Sequence, residues 1–205
     1  METIKEPMVE YGVAKHVLRG QGESGDLHLV CCSQNGVLVA AIDGLGHGEE
    51  AADAARTAAA LLKNSLDEPV ISLVERCHQE LKGTRGAVLS LAFIATDKQM
   101  MTWIGIGNVQ GVLMRANTKR GNGQESLLLR GGVVGAQLPS LQATVLPISR
   151  GDTLIFATDG IRSDFSADLS VRENPQRAAD RILNQYQRGN DDALVLVARL
   201  TGVEL

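Results

Sequence analysis

The chain has 205 residues, of which 44% are hydrophobic and 21% charged, a globular composition with enough length for one substantial core or two small ones. Aromatic residues are only 3%, so the core must rest on Val, Leu, Ile and Ala, and base-stacking platforms are disfavoured. The formal net charge of −4 leaves no electrostatic footprint for nucleic acid.

No signal peptide and no stretch of about 18 apolar residues is present, so a cytoplasmic protein is expected. No linker-like break appears, and a single domain over 1–205 is expected. Cys31, Cys32 and Cys77 form no C-x-x-C pattern and read as reduced thiols. Arg115, Lys119 and Arg120 form a small basic cluster expected on a solvated loop.

In chain order, residues 1–10 carry weak signals, and an edge strand begins near Met8. A glycine-punctuated turn, Gly20 to Asp26, leads into a strand over 27–32. Gln34-Asn35-Gly36 supplies hairpin chemistry, and 37–42 is the return strand, so apolar that both faces must be covered. This hairpin places Asp26 before one strand and Asp43 after its partner, at the same end. An Ala-rich helix over 49–66 follows, and Pro69 starts a second whose apolar residues recur at helical spacing until Gly83. His78 lies beside that stripe as a half-buried packing residue.

From Gly86 the period changes to strands over 87–95, 101–106, a segment ending at Met114, 127–129, 143–146 and 153–157. A polar loop over 118–124 interrupts them and is a candidate docking surface. Asn174-Pro175 caps a third helix over 176–187, and 193–200 is a last apolar strand. Strands outnumber helices and mostly join by hairpins, which predicts an α+β fold: an antiparallel β-sandwich flanked by α-helices.

The stretch Ala40-Ala41-Ile42-Asp43-Gly44-Leu45-Gly46-His47-Gly48 runs from an apolar strand into a helix and carries Asp43 on a glycine-rich turn. An Asp at such a place is either an oxygen ligand for a hard cation or a cap for local N–H groups. Three more acidic turns share the topology: Asp26, Asp159 in Ala157-Thr158-Asp159-Gly160, and Asp191 in Asn190-Asp191-Asp192. Each alone has a turn-residue explanation. Converging carboxylates, however, repel unless protonated or bridged by cations. An all-oxygen set without Cys or paired His favours Mg²⁺ or Mn²⁺ over zinc.

These segments, with Glu23-Ser24-Gly25-Asp26 and Asp191-Asp192-Ala193-Leu194-Val195, resemble the motifs of PPM-type metal-dependent protein Ser/Thr phosphatases, in particular the bacterial SpoIIE-like branch. The resemblance runs from about Gly20 to Leu200. It implies a β-sandwich with two Mn²⁺ or Mg²⁺ ions at one end. Asp43 would bridge both metals, the Gly44 carbonyl would bind one of them, Asp159 and Asp191 would complete the shell of the second metal, and Asp26 would act on the first metal through water. His47 would either protonate a leaving alkoxide or cap the helix. Leu45 stands where another branch has a His, and Asn108 stands where many members place an Asp for a third metal. Asp192 reads as a turn or supporting residue. A short catalytic domain of this branch resembles the stressosome feedback phosphatases, implying phosphorylated stressosome scaffold proteins as partners. The alternative is a silent phosphoprotein-binding module of the same fold.

Overall fold

The computed structural model describes residues 8–66, 68–95, 97–117, 123–167 and 169–202. The Lys119-Arg120 pair and most of the 118–124 docking loop fall outside these residues, so those two expectations have no structural counterpart.

Two β-sheets pack face to face. One holds β1 (Val9–His16), β6 (Gln110–Met114), β7 (Gln124–Ser126), β10 (Thr153–Ala157) and β11 (Ala193–Leu200), in the order β1-β11-β10-β6-β7. The other holds β2 (Asp26–Cys32), β3 (Gly36–Gly44), β4 (Ala87–Ala95), β5 (Met100–Ile106) and β8 (Leu129–Arg130) in sequence order, with β9 (Thr144–Pro147) also pairing β5. All pairings but β5 with β8 are antiparallel, as the hairpin chemistry predicts.

Three apolar layers hold this arrangement. Between the sheets lie Val39, Ala92, Trp103, Leu154, Phe156 and Leu196. Helices α1 (Glu49–Lys63) and α2 (Val70–Glu80) cover the outer face of the β2–β8 sheet through Ala54, Ala58, Leu62, Leu73 and Cys77. Helix α3 (Pro175–Tyr186) covers the other sheet through Ala178, Ala179 and Ile182. A strand covered on both faces has no polar side, which accounts for the fully buried run from Val37 to Ile42. Alanine on α1 allows close approach: a Cβ on Gly44 would lie 1.9 Å from the Ala51 carbonyl oxygen.

Caps and turns follow local chemistry. The Asn174 side chain accepts hydrogen bonds from the Gln176 and Arg177 N–H groups at the start of α3. Gly135 N–H donates to His78 Nδ1 at 2.9 Å, so this half-buried histidine ties α2 to the loop after β8. The three cysteines are free, and burial pushes the Cys77 thiol up to about 12.

Some expectations need correction. Helix α1 ends at Lys63 rather than Leu66, closed by Asn64 N–H donating to Ala60 and Leu61 carbonyls. The strand expected over 127–129 is two short strands, because at Leu127 the chain crosses from one sheet to the other. Leu127 is buried there, and its N–H donates to the Gly111 carbonyl. Arg115 is not on a solvated loop: its side chain is 14% exposed and pairs with Asp152 at 3.0 Å and with Glu125.

Candidate metal centre

The β2–β3 register sets Asp26 directly opposite Asp43. On the facing sheet, β10 ends at Ala157 and β11 starts at Ala193, and these strands pair antiparallel. Asp159 just past β10 and Asp191 just before β11 therefore come to the same end of the sandwich. Asp43, Asp159 and Asp191 line one cleft of about 430 Å³, together with His47, Asn108 and the glycines of the surrounding turns.

Asp26 lies deeper, 3% exposed, and does not line that cleft. Thr158 Oγ1 donates to Asp26 Oδ2 at 2.7 Å and accepts from Leu194 N–H at 2.8 Å. One hydroxyl thus couples the two sheets through the site. Asp192 is buried and braces the same corner: its oxygens accept from Leu18 N–H and Gly25 N–H, each at 2.8 Å. It is a supporting residue, as its place in the turn suggests.

The Asp-Gly pairs have a steric cause. A Cβ on Gly160 would lie 1.9 Å from the Asp192 carbonyl oxygen, as one on Gly44 would collide with Ala51. In the turn after β3, Gly46 and Gly48 take φ of 90° and 77°, which favour glycine. Gly25 is also constrained, since a Cβ there would stand 3.1 Å from the Gly44 carbonyl oxygen.

Burial and mutual repulsion act together on the carboxyls. Desolvation, then the neighbouring Asp26, Asp159, Asp191 and Asp192, push Asp43 up to about 8. Asp26 is pushed up to about 7, first by desolvation and then by the other aspartates, against the Thr158 hydrogen bond that favours its charge. Asp159 is also raised by burial and by Asp191, opposed by Arg188 and Asn108. Asn108 Nδ2 donates to Asp159 Oδ2 at 2.8 Å, and Arg188 Nε donates to the Asp159 carbonyl at 2.9 Å. Neither contact was legible from motif spacing, because the partners are 51 and 29 residues apart.

Among the described residues, no three His, Cys, Asp or Glu side chains close into a ready-made cage for one ion. A lined cleft suits Mg²⁺ better than such a cage would, because Mg²⁺ retains waters and uses only one or two carboxylates. Even with Arg188 beside Asp159, the mutual repulsion of these partly buried carboxylates is not offset, since Asp26, Asp43 and Asp159 are all still pushed up, and a divalent cation supplies the missing positive charge. The donor set therefore fits hard divalent cations.

A family model described as Stage II sporulation protein E (SpoIIE) matches residues 33–201, a span that includes Asp43, Asp159 and Asp191 but not Asp26. The phosphoserine phosphatase RsbX of Bacillus subtilis (strain 168) is 24% identical over 183 residues, covering 89% of this chain and 90% of RsbX. A structure of RsbX in complex with magnesium superposes with a TM-score of 0.84 at 23% identity, over 96% of this chain and 98% of that one. A chain from structural work on the bacterial stressosome, a modular system adapted to control secondary messenger signaling, gives a TM-score of 0.83 at 29% identity, over 93% and 99% of the two chains.

Proposed function

The chain belongs to the SpoIIE family, and on that premise we propose that it is a metal-dependent phosphoprotein phosphatase. It hydrolyses phosphoserine or phosphothreonine on a phosphorylated scaffold protein of a stressosome, as a feedback phosphatase in the cytoplasm, and 1–205 forms one catalytic domain. The observation that carries this reading is the convergence of Asp26 and Asp43 with Asp159 and Asp191 from the facing sheet at one end of the sandwich. The similarity to RsbX, a phosphoserine phosphatase whose related structure holds magnesium, supports the reaction and the metal class.

Asp43 and the Gly44 carbonyl would hold two Mn²⁺ or Mg²⁺ ions with Asp159 and Asp191, and Asp26 would contribute through water. Such ions, when bound, lower the pKa of a shared water and offset charge on the phosphoryl oxygens. The remaining chemistry belongs to the chain. Asn108 and Arg188 orient Asp159 by hydrogen bonds to its side chain and its carbonyl. Thr158 and Asp192 lock the Gly25-Asp26 corner so that Asp26 stays beside Asp43. His47 is exposed on the cleft lining, and it protonates the departing seryl oxygen.

Phosphate release from a phosphorylated stressosome scaffold, set against a short phosphopeptide from the same site, tests the substrate. Higher catalytic efficiency on the folded scaffold is expected, because remote contacts position the phosphoresidue and contribute rate as well as affinity. Equal efficiencies would discard docking. Binding of the phosphorylated scaffold without turnover would replace the phosphatase by the silent binding module.

A further inference from the structure

The cleft is charged at one end and bare at the other. From Asp43 on β3 it runs along the end of the β2–β8 sheet, past Val88 opposite Asp43 on β4 and Gly107 beyond β5, to Gly131 and Gly132 beyond β8. Leu45, Val88 and Val133 are the apolar side chains that line the cleft.

Four glycines line the cleft, and three have a local reason to be glycine. Gly46 and Gly107 both have φ of 90°, and Gly132 has φ of 157°. A Cβ on Gly107 would also lie 2.2 Å from Val88 Cγ1. Gly131 differs. Its φ is not in the left-handed range, and a Cβ built there meets nothing within 4 Å. Neither the backbone nor the packing of the described residues asks for glycine at 131. Glycine in such a conformation is a net cost, since the unfolded chain loses more entropy than it would with alanine.

We propose that Gly131 is a specificity-determining position, whose missing side chain leaves room for the main chain of a phosphoserine-bearing polypeptide. This rests on the phosphatase reading. In a phosphoserine, a single methylene separates the ester oxygen from the Cα. A phosphoryl group held at the Asp43 end therefore brings the substrate's own backbone against the adjoining arm. A small phosphomonoester has no chain running in two directions from its ester oxygen. Side chains added at 131 penalise the polypeptide substrate selectively.

The test compares wild type, Gly131→Ala and Gly131→Val on a phosphoserine peptide and on p-nitrophenyl phosphate, with Mn²⁺. Gly202→Val serves as control, because Gly202 also has an ordinary φ and open space around it, away from the cleft lining. Melting temperatures should match wild type or exceed it. The peptide KM should rise about tenfold in Gly131→Val and less in Gly131→Ala, while kcat/KM on the aryl ester stays within about threefold. An unchanged peptide KM in Gly131→Val would overturn the inference alone, and so would equal losses on both substrates. If wild type hydrolysed neither ester, the phosphatase reading would fall, and this inference with it.

Discussion

Replacing Asp43 by Asn removes a charge and keeps the shape of the side chain. If Asp43 holds the cations, metal-dependent turnover should fall by roughly a thousandfold. The fold should survive, and the metal-free protein should be no less stable, because the ionised Asp43 is disfavoured by burial and by its acidic neighbours. Near-normal rates at saturating metal, with an unchanged far-UV spectrum, would make the aspartates structural. His47→Ala should impair esters with poor leaving groups far more than aryl phosphates, since only the former need a proton on the departing oxygen. Equal effects on both would remove the general-acid role. The pH dependence of stability follows from the same carboxyls. Asp26 and Asp43 sit at about 7 and about 8 in the folded protein, above the ordinary 3.8. Between those values the native state holds protons that the unfolded chain has released, so metal-free stability should fall as pH rises through that window. Added Mg²⁺ binds the ionised native site and should raise the melting temperature more at about pH 8 than at about pH 5.5. A chelated protein whose melting temperature rose across the window would contradict this.

At the scale of elements, close approach between backbone segments sets the geometry of the site. Gly44→Ala would place a Cβ 1.9 Å from the Ala51 carbonyl oxygen and force α1 away from β3. A loss of about 1–3 kcal/mol or more in denaturant unfolding is expected, with weakened metal binding because Asp43 moves with the strand. Most of this element structure was legible in the sequence. The strands Ala87–Ala95, Thr153–Ala157 and Ala193–Leu200 fall where their continuous apolar runs place them. The hairpin signal at Asn35-Gly36 also set the register that opposes Asp26 to Asp43. What was missed depends on contacts distant in sequence. Leu127 reads as the start of a strand because it is apolar, but it is buried where the chain changes sheets. The 3-10 turn Ser163–Ala167 is organised by one buried aromatic, Phe165, with no periodicity to announce it. Arg115 read as solvated because neither Glu125 nor Asp152 is its neighbour in sequence. Within the site, spacing alone showed that acidic turns share strand ends. The Thr158–Asp26 hydrogen bond, across 132 residues, needed the packed sandwich to appear.

At the scale of the whole molecule, the carboxylates come from both sheets, so the site exists only when the sandwich is closed. Asp26 and Asp43 arrive on one sheet, Asp159 and Asp191 on the other, and the layer around Phe156, Leu154 and Trp103 holds the two together. Metal binding and folding should therefore be linked, with each favouring the other. The most direct measurement is phosphate release from a phosphoserine peptide by exhaustively chelated protein, titrated in turn with Mn²⁺, Mg²⁺ and Zn²⁺. We expect no release without metal, saturable activation by Mn²⁺ or Mg²⁺, poor substitution by Zn²⁺, and no activation of Asp43→Asn. Full activity in the chelated protein, or activation of Asp43→Asn equal to wild type, would contradict the assignment of this cleft as a metal-dependent phosphatase centre.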